Sequence, residues 1–166
     1  FNEPQQVTLT SNGAPIYYTI DGSAPTSSSQ RYTAAFTLDN DTTLQAVAIN
    51  SAGQTSSTVL LTFRFDFDPP TNFALEANTL VIDVANENAF TLTIANGELD
   101  ASYAIEINDA DGFTQAISLS GQINNADEQV LSADLSSMAD GDVTAVLSLT
   151  DVAGNASVPF SLALTK

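Results

Sequence analysis

The segment IYYTIDGSAPT, residues 16–26, decides the fold. Its aromatic and β-branched residues favour a strand, and the Asp-Gly pair at 21–22 favours a tight turn. Side chains alternate between the two faces of a strand, so Tyr17 lies on one face. The opposite face takes Ile16, Tyr18 and Ile20.

Short alternating segments of this kind recur along the chain, separated by Gly, Asn, Asp and Pro. Asn12-Gly13 and Ala52-Gly53 are typical of turns between strands. The pattern predicts an all-β chain. Predicted strands of the first half are 6–10, 15–20, 35–38, 43–50 and 58–65. Those of the second half are 72–75, 79–84, 89–95, 102–108, 114–120, 129–135, 143–150 and 158–165. In strand 89–95, Phe90, Leu92 and Ile94 alternate inward, and in strand 102–108 so do Tyr103, Ile105 and Ile107.

The strands divide into two groups. Eight strands over about one hundred residues, with turns between them, are typical of an immunoglobulin-like sandwich. Pro69-Pro70 stiffens the chain and ends ladder pairing, so it indicates a linker. The sequence therefore predicts two tandem immunoglobulin-like β-sandwich modules, 1–65 and 72–166, joined by a linker at 66–71.

Acidic residues are distributed unevenly between these modules. The net charge is -17, and residues 1–65 hold only four of the 20 acidic side chains. The other 16 follow residue 65. Two interpretations stay open: a charged surface that keeps the protein soluble, or carboxylates that hold cations.

The composition excludes most catalytic chemistry. The chain has no His and no Cys, so a Ser-His-Asp catalytic triad and a Cys-His catalytic dyad are both excluded. Disulfides and the commonest transition-metal ligands are excluded for the same reason. Only three basic residues are present, so nucleic acids and anionic membrane surfaces are not expected partners. A pair of acids acting on a glycosidic bond would need one raised pKa, which no pattern indicates. We expect no catalytic residues and no enzyme activity.

Two further features concern location. No apolar run approaches the ~20 residues that span a bilayer, so membrane insertion is not expected. The sequence starts at Phe1 without an initiator Met. We therefore expect a segment of a longer polypeptide.

The first module resembles the C-terminal immunoglobulin-like domain of the chitobiase and β-hexosaminidase family. The matching text is FNEP at 1–4, VTL at 7–9, IYYTIDGSAPT at 16–26 and TLQAVA at 43–48. The resemblance implies an accessory module of a secreted bacterial protein. The catalytic residues of that family lie in a different domain, so none is carried over.

The second module resembles the immunoglobulin-like repeats of bacterial surface and adhesin proteins, on DLSSMADGDV at 134–143 and LTDVAGN at 149–155. Together the resemblances imply a non-catalytic spacer or interaction module of a larger secreted or cell-surface bacterial protein. Its partners would be neighbouring domains of the same polypeptide. The alternative is a carbohydrate-binding accessory module of a secreted enzyme that degrades polysaccharides.

Two tyrosines are the candidate ligand residues. Sugar-binding modules use exposed flat rings, and Trp is absent, so Tyr17 and Tyr32 are the candidates for contact with a polysaccharide. An outward Tyr on a strand more often makes a cross-strand pair. The sequence alone therefore predicts weak or no binding to chitin-like and other polysaccharides.

Calcium is the one cofactor considered. In an immunoglobulin-like sandwich, three segments lie at the same end: the entry to the first strand, the loop between the second and third strands, and the loop between the last two strands. Here all three segments carry acidic residues. The predicted ligands at the junction are Asp66, Asp68, Glu98, Asp100 and Asp151. A second group at the far end comprises Asp109, Asp111, Asp140 and Asp142. An EF-hand loop needs a bidentate Glu at its twelfth position. The twelfth position counted from Asp109 is Ser120, so an EF-hand loop is excluded. The alternative is that these acids only cap turns and hydrate the surface.

Overall fold

The computed structural model describes residues 1–112 and 114–166, and within them the secondary structure is β throughout apart from one 3-10 helix, Glu87–Ala89. The predicted all-β class is confirmed. The chain divides into two compact units, residues 1–67 and 68–166. Within the described residues, no helix is long and apolar enough to cross a membrane.

The first unit contains two sheets. One pairs β1 with β4, and the other has the strand order β3-β2-β5-β6. All pairings are antiparallel. The strands are β1 (Gln5–Val7), β2 (Ile16–Thr19), β3 (Gln30–Arg31), β4 (Phe36–Leu38), β5 (Thr42–Ala48) and β6 (Val59–Phe63).

Alternation along β2 and β5 builds the core of the first unit. Ile16 and Tyr18 point inward, where the ring of Tyr18 stacks on that of Phe36 at 4.7 Å between centroids. Ile20, predicted on the same face, is instead 50% exposed. The strand ends at Thr19, and the chain then turns, so the alternation no longer applies to Ile20. The buried core of this unit is Val7, Ile16, Tyr18, Leu38, Leu44 and Ala46.

The second unit is a larger sandwich. Its sheets have the strand orders β11-β8-β7 and β10-β9-β12-β13. Three strands facing four correspond to an immunoglobulin-like or fibronectin-like arrangement. The strands are β7 (Ala74–Ala77), β8 (Phe90–Ala95), β9 (Ser102–Asp109), β10 (Ile117–Gln122), β11 (Glu128–Ala133), β12 (Asp142–Thr150) and β13 (Phe160–Thr165).

The core of the second unit follows the predicted alternation. Phe90, Leu92 and Ile94 of β8 are fully buried, and so are Ile105 and Ile107 of β9. Leu147 and Leu149 of β12 complete the layer. Because both sheets contribute a complete inward row, this unit buries a larger apolar core than the first.

One strand prediction was wrong, and one strand was not predicted. Residues 79–84 form no strand, because Asp83 starts a turn instead: its Oδ1 accepts a hydrogen bond from the Ala85 N–H at 2.8 Å. Asn86 Oδ1 accepts from the Asp83 N–H at 2.8 Å, and the 3-10 helix follows. The short strand β3 was not predicted, since two residues are too few to show a period.

Candidate functional site: a groove beside Tyr17

A groove of about 580 Å³ opens on the surface of the first unit. Ligand clefts commonly enclose ~300–1,000 Å³, so the volume suits a small ligand or one segment of a polymer. Three segments of the chain line it: β2, the loop after β2, and the turn after β5. The lining residues are Pro15, Tyr17, Pro25, Thr26, Ser27, Ile49, Asn50, Ser51, Gly53 and Thr55.

Tyr17 lies on the strand face opposite the core. Its neighbours Ile16 and Tyr18 are buried, whereas Tyr17 is half-buried, as alternation requires. Across the ladder it lies opposite Val47 of β5 and Arg31 of β3. The strand therefore holds the ring of Tyr17 at the groove while the core fixes the backbone.

The loop of residues 21–29 forms one wall and is held by its own side chains. Asp21 Oδ1 accepts hydrogen bonds from the Ser23 hydroxyl at 2.6 Å and from the Ser23 N–H at 2.9 Å. These bonds lower the pKa of Asp21. The Thr19 hydroxyl donates to the Ser23 carbonyl, and Ser29 Oγ accepts from the Thr26 N–H. The loop that carries Pro25 is thus anchored at both ends.

The turn of residues 49–55 forms the opposite wall. Asn50 Oδ1 accepts hydrogen bonds from the N–H groups of Ala52 at 3.0 Å and Gln54 at 2.9 Å. Gly53 has a φ of 78°, a left-handed conformation that Gly adopts without strain. Its N–H donates to the Asn50 carbonyl at 3.0 Å. The predicted Ala52-Gly53 turn is confirmed, and it shapes this wall.

The lining of the groove is uncharged. An apolar floor comes from the ring of Tyr17 together with the side chains of Pro15, Pro25 and Ile49. Hydroxyl and amide side chains supply the rim, among them exposed Ser27, Ser51 and Thr55. Apolar surface with a few convergent polar groups is the usual chemistry of a binding site.

Tyr32, the second predicted ligand residue, does not line this groove. Its ring packs edge-on against Tyr18 at 6.5 Å and against Phe36 at 6.3 Å. It is half-buried at the margin of the core. The structure therefore separates the two tyrosines: Tyr17 lines the groove of about 580 Å³, and Tyr32 packs against the core and lines a different depression of about 290 Å³.

The predicted calcium ligand Asp151 serves as a turn cap. Its Oδ1 accepts hydrogen bonds from the N–H groups of Gly154 at 2.6 Å and Asn155 at 2.8 Å. Its Oδ2 accepts from Asn155 Nδ2 at 2.7 Å. Burial acts to raise the pKa of Asp151, but the hydrogen bonds from Asn155 and Gly154 outweigh it and lower the pKa. This arrangement explains the LTDVAGN motif as turn chemistry.

The other predicted calcium ligands, Asp66, Asp68, Glu98 and Asp100, are exposed. Asp100 has a φ of 64°, a conformation typical of a turn. Nowhere in the described ranges do three acidic side chains gather in a group able to hold a metal ion. The calcium site stays a prediction.

Sequence reasoning found Tyr17 but missed the other lining residues. Pro25 and Thr26 lie in a loop that the sequence favours as turn chemistry, with a ligand loop at one end of the sandwich as the alternative, and Thr55 follows another turn. The available signal was a pair of turn motifs: Asp21-Gly22 follows β2, and Ala52-Gly53 follows β5. Their convergence depends on the antiparallel pairing of β2 with β5, which the sequence does not state.

Residues 1–60 match the sequence profile of the family described as the chitobiase/beta-hexosaminidase C-terminal domain. This confirms the resemblance predicted for the first module. No curated protein matches the chain in sequence.

Solved structures resemble the chain at low sequence identity. The fibronectin(III)-like modules of Clostridium thermocellum CbhA are 16% identical, with a TM-score of 0.52 over 99% of this chain and 85% of theirs. A tetra-tandem repeat from the extending region of a large adhesion protein is 17% identical, with a TM-score of 0.48. The alignment covers 91% of this chain but only 42% of that repeat structure. The first likeness establishes a shared fold.

Proposed function

We propose that the chain is a non-catalytic structural and interaction module of a larger secreted or cell-surface bacterial protein. Its partners would be the neighbouring domains of the same polypeptide. Modules of this kind need a stable sandwich that presents loops and grooves, and both units have that construction.

The role of the acidic side chains carries the proposal. The carboxylates of Asp21, Asp134 and Asp151 accept hydrogen bonds from the turns in which they lie. Each has a lowered pKa for that reason. A general acid for glycosidic bond cleavage requires the opposite, a pKa raised toward neutrality. Carboxylates that cap turns fit a structural role.

The fold and the family match add support. Both units are β-sandwiches, and residues 1–60 match the chitobiase/beta-hexosaminidase C-terminal domain. The solved structure with the same fold consists of modules described as fibronectin(III)-like. Fold alone does not specify function, so the proposal needs a direct test.

The first test concerns location. Intact cells of the organism that makes the protein would be treated with a protease, and antibodies against the chain would follow its loss. We expect the chain to be removed from the cell surface or recovered from the medium. Detection only inside protease-resistant cells would contradict the proposal.

The second test concerns activity. The purified chain would be incubated with chromogenic α- and β-glycosides across acidic and neutral pH. We expect no turnover above buffer. Turnover that disappears in one Asp→Asn or Glu→Gln variant would show a catalytic carboxylate and overturn the non-catalytic assignment.

A further inference from the structure

We infer that the groove beside Tyr17 binds an uncharged glycan, with one sugar ring stacked on Tyr17. This inference deepens the proposed function by naming the partner class of an interaction module. It rests on three features of the groove: its apolar floor, its hydroxyl-bearing rim and the absence of charged residues from its lining.

The floor suits a sugar ring. A pyranose presents a face of C–H groups, which packs on an aromatic ring through dispersion and through the negative face of the ring. Tyr17 supplies such a ring, and Pro15 and Pro25 extend the apolar surface beside it. The strand fixes the Tyr17 backbone, so little conformational entropy would be lost on binding.

The rim suits sugar hydroxyls. Thr26 and Ser27 stand on one wall, and Ser51 and Thr55 on the other. A hydroxyl group both donates and accepts hydrogen bonds, which matches the donor and acceptor capacity of a sugar hydroxyl. Both walls are held by hydrogen bonds within their own turns, so the groove is pre-formed.

Charge decides between ligand classes. None of the ten lining residues is charged, so the lining itself supplies no counterion for a uronic acid, a sulfated sugar or a charged peptide. Arg31, which lies across the ladder from Tyr17, is exposed and does not belong to that lining. The many hydroxyls also favour a polyhydroxylated ligand over a proline-rich peptide, which is recognised mainly by aromatic-lined grooves. A neutral polysaccharide is the ligand class that the lining fits.

The experiment uses the whole chain and a panel of insoluble neutral polysaccharides: chitin, cellulose and β-1,4-mannan. Co-sedimentation measures the bound fraction of five proteins, the wild type and the variants Tyr17→Ala, Tyr17→Phe, Thr55→Arg and Phe67→Ala. Phe67 is an exposed aromatic residue outside the groove and serves as the matched control. Circular dichroism melts verify that each variant is folded.

We expect the wild type to bind at least one polysaccharide of the panel. Tyr17→Ala should weaken that binding at least about tenfold, whereas Tyr17→Phe, which keeps the ring, should stay within about threefold. Phe67→Ala should bind like the wild type. A second variant, Thr55→Arg, should block the groove without removing the ring and should also lose binding.

A parallel titration with a polyproline peptide tests the other occupant. Three outcomes would overturn the inference: no binding to any of the polysaccharides, binding that Tyr17→Ala leaves unchanged, or binding of the polyproline peptide, lost in Tyr17→Ala, in place of a glycan. Each differs from failure of the proposed function. That failure would appear as catalytic turnover or as an intracellular location, which the glycan experiment does not measure.

Discussion

At the scale of single residues, short polar side chains hold the turns that connect the strands. Asp21 and Asp134 each accept two hydrogen bonds from the serine two positions later. Asp151 closes a longer turn and is only 6% exposed. Many acids in this sequence are therefore committed to local backbone geometry.

Substituting Asp151 by Ala should destabilise the second unit. The change removes the carboxylate that accepts hydrogen bonds from the N–H groups of Gly154 and Asn155 at a partly buried site. The Gly154 N–H keeps its longer bond, 3.2 Å, to the carbonyl of residue 151. We expect a loss of about 1–3 kcal/mol in the free energy of unfolding, measured by urea denaturation. Asp140→Ala, at an exposed position, is the control and should change stability by less than about 0.5 kcal/mol.

The stability of the second unit should also depend on pH through Asp151. The folded state lowers the pKa of Asp151, so its carboxylate contributes stability above the unfolded pKa of about 3.9. That contribution is lost as the pH falls through the lower folded value. We expect the melting temperature to fall below about pH 4, and to fall less in Asp151→Asn. Equal slopes in both proteins would contradict this.

The buried ammonium of Lys166 should be a second determinant of stability. Its Nζ donates to the carbonyls of Leu135, Ser136 and Met138, each at 2.9 Å, and lies 3.1 Å from Glu87 Oε2. Lys166→Met would leave three carbonyls and one carboxylate without this donor. We expect a loss of roughly 3 kcal/mol or more, measured by thermal unfolding.

Glu87→Gln serves as the comparison for Lys166→Met. It removes the charge of the partner but leaves the three carbonyl bonds in place, so it should cost less than the lysine change. If the two variants are equally destabilised, the carbonyl bonds contribute little, and the interpretation is wrong.

At the scale of elements, strand β6 differs from its neighbours. It lies at the edge of its sheet, so only one side of its backbone pairs with another strand of that sheet. Its side chains Val59, Leu60 and Leu61 are 50%, 60% and 46% exposed. Exposed apolar edge strands are templates for pairing with other chains.

We therefore predict that β6 promotes self-association. Leu60→Lys should lower the concentration-dependent increase in apparent mass, measured by analytical ultracentrifugation, because edge charges oppose strand pairing. Val152→Lys alters a more exposed valine in a loop and is the matched control. Self-association that persists in Leu60→Lys, or that disappears equally in both variants, would show that β6 is not its source.

At the scale of the whole molecule, the two units have separate cores. The buried cluster of the first unit and that of the second share no residue. We predict that each unit unfolds independently, so calorimetry should resolve two transitions. The chains 1–67 and 68–166, expressed separately, should each reproduce one of them. A single transition with neither half folding alone would contradict this prediction.

The calcium hypothesis is also tested on the whole chain. Binding to the folded state must raise its stability, by about 2.7 kcal/mol at one hundred times the Kd. The hypothesis expects a higher melting temperature in millimolar calcium, and a smaller rise in Asp68→Ala. Asp68 is the appropriate position, because replacing Asp151 would disturb its turn as well. Equal melts with and without calcium would refute a bound ion.

The sequence by itself determined the features that depend on neighbours along the chain. Alternation predicted the buried rows of β8 and β9, since a strand turns successive side chains to opposite faces. Gly53 and Asp151 identified turns because their conformational and hydrogen-bonding preferences act over two to four residues. The family resemblance of residues 1–60 was equally readable from the sequence.

Only the tertiary structure decided which segments meet. The groove requires Pro25 and Thr55, distant in sequence, to come together with Tyr17 in one lining, and the pairing of β2 with β5 brings their segments together. The burial of Lys166 against the carbonyls of Leu135 and Met138 likewise joins residues about thirty positions apart. Such contacts arise from sheet pairing and core packing, which act through space, so local sequence patterns do not specify them.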